Sequence, residues 1–343
     1  MLDNVKLLEK LCNARGVSGD DGEVKDIIID EIKPYCDTLY IDKVGNLIAF
    51  KKGAKTPKNK IMFSAHTDEV GLMITGILKD GTLTFEVVGG IDPRVLSAKR
   101  VLIGEIPGVI CSKPIHCKTA DERKKAVPAK ELVIDIGATS RKQAEKLVNI
   151  GNTAVFRSDF VRLGENKIKA KALDDRFGCW LMCNIIKTDI EYDAWFAFTQ
   201  CEEVGCRGAL SAAMRLKPDI GIALETTTAA DIAGVSGEKK VCEQNGGAVI
   251  SIMDGGTIYD RALYKAAVES AKRNGIKWQT KTLVSGANES RSVQRAGTGA
   301  RVLAISAPCR YLHTPSCVVD MRDAEYMEKL CLKLIEEYGD AEI

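Results

Sequence analysis

Three histidines occur in 343 residues, and two of them stand in acidic surroundings suited to a metal. His66 ends an apolar run and opens His66-Thr67-Asp68-Glu69-Val70-Gly71. His313 lies far downstream, in Tyr311-Leu312-His313-Thr314-Pro315-Ser316. Between them come Ala172-Leu173-Asp174-Asp175-Arg176, Cys201-Glu202-Glu203-Val204-Gly205 and Ala223-Leu224-Glu225, each acidic group at the edge of an apolar segment. Two imidazoles and several carboxylates gathered by a fold would make a hydrolytic metal centre, and such N/O donors suit zinc or cobalt. Asp68, two residues after His66, is placed to accept one imidazole N–H, which fixes the tautomer and makes the other nitrogen a better ligand. Glu202 and Glu203 are adjacent acids after the apolar Trp195-Phe196-Ala197-Phe198. Buried together they would repel, and a cation removes that cost. It also lets one serve as ligand and the other handle protons toward a bound water. Asp174-Asp175 leaves two readings open: a helix N-cap that complements the helix dipole, or a carboxylate bridging two cations.

The elements that must position these groups follow from periodicity. Helical spacing runs over residues 2–14 and 22–34, and strands are expected at 38–42, 46–50 and 60–65, the last delivering His66. From 72 to 166 the texture changes to short alternating segments separated by turns such as Asp80-Gly81 and Ile106-Pro107-Gly108, with one helix near 140–148. Beyond it helices (175–187, 207–215, 259–274) alternate with strands (194–199, 220–225, 300–306). That alternation predicts an α/β fold, with a mostly parallel sheet covered by helices on both faces. We therefore expect a catalytic domain over residues 1–71 plus 167–343, interrupted by a β-rich insertion at 72–166. His66, Glu202, Glu203 and Glu225 fall at strand ends, where ligands bind in such sheets.

Composition narrows the function classes. Forty-nine Lys+Arg against 47 Asp+Glu leave a net charge of +2, so no global field points to nucleic acid or an anionic membrane. The lysines between Lys51 and Lys60, and Arg123-Lys124-Lys125, read as solvated loops. No apolar stretch approaches the length of about 18 residues that spans a bilayer, and the N-terminus has no apolar leader pattern. The 12 cysteines are scattered without a CxxC pair, which favours free thiols in a reducing cytoplasm over a disulfide framework. Cys179, Cys201 and Cys206 could serve as soft zinc ligands, but burial is the favoured role. His116 falls outside the constellation, as a structural or inter-subunit residue.

The phrases containing His66, Asp174, Glu202-Glu203-Val204-Gly205-Cys206-Arg207-Gly208-Ala209 and Arg310-Tyr311-Leu312-His313-Thr314-Pro315 together resemble metallopeptidase family 42. This is the group of glutamyl and tetrahedral aminopeptidases, some of whose members were once labelled cellulases. The resemblance spans nearly the whole chain in order, and includes Lys113-Pro114-Ile115-His116 in the insertion. It implies a phosphorylase/hydrolase-like metallopeptidase domain with an inserted barrel-like, PDZ-like domain for dimerisation, and dimers that can build a dodecamer. It implies two divalent ions, zinc or cobalt: one on His66, Asp174 and Glu225, the other on Asp174, Glu203 and His313. It further implies Glu202 as general base on a metal-bridging water, Asp68 orienting His66, a cis peptide at Asp174–Asp175, and peptides with a free N-terminus as substrates.

Two departures from the family pattern stand out. Glu225 occupies a position that is Asp in many relatives. Val284-Ser285-Gly286-Ala287-Asn288-Glu289-Ser290 replaces a common Gly-Gly-Thr-Asp-Ala. Asn288 and Glu289 are thus expected on the substrate side, Glu289 meeting the free α-amino group. Two other readings stand beside this one. A glycoside hydrolase would need a carboxylate pair about 5–9.5 Å apart but neither histidine. A catalytically silent binding or assembly protein would have no use for the ligand set.

Overall fold

The computed structural model describes residues 5–284 and 286–342, so residues 2–4 of the expected first helix, and Ser285, lie outside the described residues. The first helix, Val5–Asn13, buries Val5, Leu7, Leu8, Leu11 and Cys12, the stripe its spacing predicts. The helix Gly22–Ile32 follows. Strands β1 (Thr38–Ile41), β2 (Leu47–Lys51) and β3 (Ile61–His66) then enter the main sheet. Every residue of β3 is buried, as for a strand covered on both faces.

The chain next leaves the sheet to form a closed barrel. Its strands are β4 (Gly71–Ile77), β5 (Leu83–Val88), β6 (Arg100–Ile103), β7 (Ile106–Cys111), β8 (Val133–Asp135) and β9 (Thr153–Phe156), in the order β4-β5-β8-β7-β6-β9. Inward side chains such as Leu72, Ile74, Phe85, Val101, Ile110, Ile134 and Phe156 fill it with a core of its own. The helix expected near 140–148 is a single turn, Arg141–Ala144, capped by Ser140.

The chain returns through β10 (Val161–Leu163) and β11 (Lys167–Ala170). It continues with β12 (Ala194–Thr199), β13 (Ile220–Thr228), β14 (Ala248–Ile250), β15 (Trp278–Thr280), β16 (Arg301–Arg310) and β17 (Cys317–Asp320). Among the described residues the sheet runs β1-β2-β12-β3-β13-β16-β17-β11-β10, with β14 beside β16 and β15 beside β14. The parallel expectation holds at its centre, where β12, β3, β13 and β16 pair parallel. The flanks add antiparallel pairs, β1–β2 and β2–β12 on one side and β16–β17, β17–β11 and β11–β10 on the other. The helix Leu173–Lys187 crosses one face, with Phe177, Trp180, Leu181 and Ile185 buried in the large core. A long helix not anticipated from the sequence, Met321–Asp340, packs into the same core through Met327, Leu330, Leu334 and Tyr338.

Candidate metal centre

The parallel centre of the sheet delivers the constellation. Thr199 stands opposite His66 where β12 and β3 end together, and Glu202 and Glu203 occupy the turn that follows. Glu225 sits in the neighbouring β13, opposite Ser306 of β16. Asp174 comes from the opening of the helix Leu173–Lys187, where it and Asp175 have non-helical backbone angles; the peptide bond between them is cis, as the resemblance implied. His313 belongs to the loop between β16 and β17 and has φ of 57°, a left-handed conformation uncommon for a non-glycine residue.

These side chains form two groups that share one carboxylate. The Nε2 of His66 lies 3.7 Å from Asp174 Oδ1 and 3.9 Å from Glu225 Oε2. The Nε2 of His313 lies 3.4 Å from Asp174 Oδ2 and 3.4 Å from Glu203 Oε2. In each triad the candidate ligand atoms lie within 4.8 Å of one another. Asp174 therefore presents one oxygen to each histidine. The two readings of Asp174-Asp175 divide between the residues: Asp175 Oδ1 accepts the Gly178 N–H at 2.9 Å as a cap would, while Asp174 faces the imidazoles.

Backbone and second-layer groups hold this arrangement. His66 Nδ1 is 3.0 Å from the carbonyl of Asp68 and 3.5 Å from its carboxylate, so the closer orienting partner is the main chain. The Asp68 carboxylate accepts from Ser18 Oγ at 2.5 Å and from the N–H groups of Glu202 and Glu203 at 3.0 and 3.3 Å. Asp68 thus ties the strand end carrying one histidine to the turn carrying both glutamates. His313 Nδ1 meets the carbonyl of Gly90 at 2.6 Å, which turns Nε2 toward the carboxylates and links the site to the barrel side. Thr226 Oγ1 donates to Asp174 Oδ1 at 2.9 Å. Ser18, Gly90 and Thr226 were not anticipated, because nothing in their local sequence marks a tertiary partner.

The electrostatics of the site favour positive charge. Burial, with Asp174 beside it, pushes Glu203 up to about 8. Burial, with Asp175 nearby, pushes Glu225 well above the carboxylate range. For Asp174 burial works upward, but hydrogen bonds from His313 and His66 outweigh it and hold the carboxyl low. Among the described residues, Glu203 Oε1 and Glu225 Oε1 are buried without a hydrogen-bond partner. Unsatisfied buried carboxylate oxygens are costly, and divalent cations would satisfy both. The donor set of imidazole and carboxylate fits them. The cysteines are not part of it: Cys179 Sγ donates to the His66 carbonyl and Cys206 Sγ to Glu202.

Beside these groups opens a cavity of about 350 Å3 lined by Glu202, Thr226, Thr227, Thr228, Ser251, Asp254, Lys281, Asn288 and Ser306. Asn288 lines it and donates to Tyr259 Oη at 2.9 Å. Glu289 does not. It is fully buried behind the wall, where its carboxylate accepts from Thr199 Oγ1 and burial pushes it up to about 7. The substrate contact expected of Glu289 is not one this placement permits.

Comparison with known proteins agrees with the geometry. A model of the M42 glutamyl aminopeptidase family matches residues 45–330. The chain belongs to that family. It is a peptide hydrolase, an aminopeptidase by class. A lysyl aminopeptidase of Pyrococcus furiosus is 31% identical over 342 residues, covering 97% of this chain and 96% of that protein. An aminopeptidase of the archaeon Desulfurococcus kamchatkensis superposes with a TM-score of 0.93 at 33% identity, over 98% of this chain and 95% of the other. The TET1 peptidase of Pyrococcus horikoshii, which can assemble into a tetrahedron or a large octahedral shell, superposes with a TM-score of 0.86 at 33% identity, over 97% and 99% of the two chains.

Proposed function

We propose that this chain removes N-terminal residues from peptides at a centre of two divalent ions, zinc or cobalt. The observation that carries the proposal is the sharing of Asp174, with Oδ1 toward His66 and Oδ2 toward His313. His66, Asp174 and Glu225 would hold one ion, and Asp174, Glu203 and His313 the other. When bound, such a pair supplies Lewis acidity to the scissile carbonyl and to the attacking water. Glu202 lines the cavity, and burial raises its proton affinity above that of an ordinary carboxylate, with His66 opposing. It takes a proton from the water as the C–O bond forms, then hands it to the amine as the C–N bond breaks. Asp68 orients His66 and the Glu202–Glu203 turn. Asn288 contributes to the pocket for the N-terminal residue, whose volume suits a small ligand.

The same reading assigns catalysis to residues 1–71 plus 167–343 and assembly to 72–166. It makes the protein a dimer-built homo-oligomer, as the shell-forming relative suggests. The free state of the cysteines supports a cytoplasmic setting, and among the described residues no helix is long and apolar enough to cross a membrane.

The test is a panel of aminoacyl chromogenic substrates, with metal analysis, before and after chelation. Chelation is expected to abolish hydrolysis, and zinc or cobalt to restore it. E202Q should keep both ions and lose about 10²–10⁴ in rate. Hydrolysis that survives complete removal of metal would refute the proposal, and full metal loading with no activity on any peptide would make the chain a silent homologue.

A further inference from the structure

Glu202 is held by a group outside the ligand set. It opens a tight turn in which the N–H groups of Gly205 and Cys206 donate to its carbonyl at 2.8 and 2.9 Å. This brings the side chain at 206 over the one at 202, as in any helical i, i+4 pair. Cys206 is also the N-cap of the helix Arg207–Leu216, a position where Ser, Thr, Asp or Asn ordinarily turns an oxygen to the helix amides. Cys206 does not cap: its backbone is left-handed (φ 53°, ψ 40°) and its side chain makes no cap hydrogen bond. The Sγ instead lies 3.0 Å from Glu202 Oε1, and the residue is only 1% exposed.

We propose that the Cys206 thiol positions Glu202, donating S–H to Oε1 so that Oε2 is left for the attacking water. The proposal rests on the reading of Glu202 as the general base. Cys206 touches neither substrate nor metal ligand in this arrangement, so it is a positioning residue. The chemistry of sulfur suits the task. A thiol is a weak donor, so it fixes direction while lowering the proton affinity of the base little, whereas a strong or charged donor would lower it more. Burial, and then the Glu202 charge, hold the thiol well above its ordinary range, so the sulfur stays protonated and remains a donor. Glu289 and Arg291 are the other charged groups near it. The residue also explains itself at the backbone. A left-handed position favours glycine, so a side chain there needs a use.

The experiment compares C206A with C206S in the metal-loaded enzyme. Alanine and serine leave nearly the same void, so any packing loss is shared, and only serine keeps a donor. C206A should lose about tenfold in kcat, the scale of one hydrogen bond, with KM and the content of two ions unchanged. C206S should recover most of that loss. An infrared difference spectrum, native minus C206A, isolates the Cys206 S–H stretch. It should be shifted to lower frequency by the carboxylate and relax in E202A, whatever the activity. Equal loss in both variants, an unchanged kcat in C206A, or an S–H band indifferent to E202A would overturn the proposal. An E202Q enzyme that keeps full activity would instead overturn the role of Glu202 itself, and the role of Cys206 with it.

Discussion

His313 and Glu203 face each other at 3.4 Å, and in the absence of a cation both tend to carry protons. For the imidazole burial works against protonation, but Asp174 and Glu203 outweigh it and raise His313 to about 10. Glu203 itself stands at about 8. A metal needs a neutral imidazole and an ionised carboxylate, so ions and protons compete for this pair. At pH 7, below both values, loading the stripped protein should release protons from His313 and Glu203. Affinity should therefore climb as pH rises through 8 and on toward 10. Calorimetry of zinc binding in buffers of different ionisation heat reads this directly, and a heat independent of buffer would contradict it. The candidate ligands were legible in the sequence as a set, because their phrases recur in order along the chain, whereas Asp174-Asp175 taken alone reads equally well as a helix cap. Glu289 shows where that legibility stops. Its phrase places it beside Asn288, but which of two neighbouring side chains turns to the cavity is decided by Thr199, 90 residues away. Cys206 was legible as a member of a motif and as a buried thiol, although its spacing of four from Glu202 was there to be read.

At the scale of elements, the parallel strands that carry the site were recoverable, since long buried runs alternating with helices leave few other arrangements. The short strands β10, β14 and β15 were not. β10 has three exposed residues and so no alternation to detect, and β14 and β15 are equally brief. Glu225 lies inside β13 rather than at its end, and the three threonines after it become cavity wall. Helix starts were more predictable, and one of them bears on stability. Asp260 caps the helix Arg261–Arg273 by accepting the N–H groups of Ala262 and Leu263, each at 2.9 Å. It also pairs with Arg301 at 2.9 Å, and that guanidinium holds its carboxyl below the usual range. A depressed carboxyl stabilises the fold above its ordinary pKa and stops doing so as pH falls through its lowered one. D260A should cost about 1 kcal/mol at neutral pH, and its deficit should shrink as the pH is taken below about 4. Urea unfolding of metal-stripped native and variant protein at pH 7 and pH 3 measures both. A deficit that does not change with pH would mean that the cap acts without its charge.

The whole molecule poses a problem that neither residues nor elements solve: a chain that leaves its sheet for a barrel must be fastened where it departs and where it comes back. The change in texture near residue 72 announced the excursion, but the fastening could not be read, because its parts are about 100 residues apart in sequence. Glu69 stands at the departure, just before β4, and its N–H donates to the Gly16 carbonyl at 2.8 Å. Lys171 stands at the return, just after β11, and its ammonium meets Glu69 Oε1 at 2.7 Å and the Ala14 carbonyl at 2.8 Å. Arg176, one turn into the next helix, reaches the same oxygen at 3.3 Å and the carbonyl of Leu11 at 2.6 Å. All three side chains are buried, and Lys171 lies three residues before Asp174, which the two triads share. One carboxylate therefore joins the first helix, the way into the barrel and the approach to the candidate metal centre. Removing one member of a buried ionic group leaves the others uncompensated, at a cost of about 3–5 kcal/mol. E69Q keeps the shape and removes the charge, so urea unfolding of this variant should show a loss of that size, several times that of D260A. Hydrogen exchange should rise first in the helix Val5–Asn13, whose terminal carbonyls share these cations. A deficit below about 1 kcal/mol, the level of an exposed ion pair, would show that backbone carbonyls alone suffice for Lys171 and Arg176, and that packing holds the two crossings together.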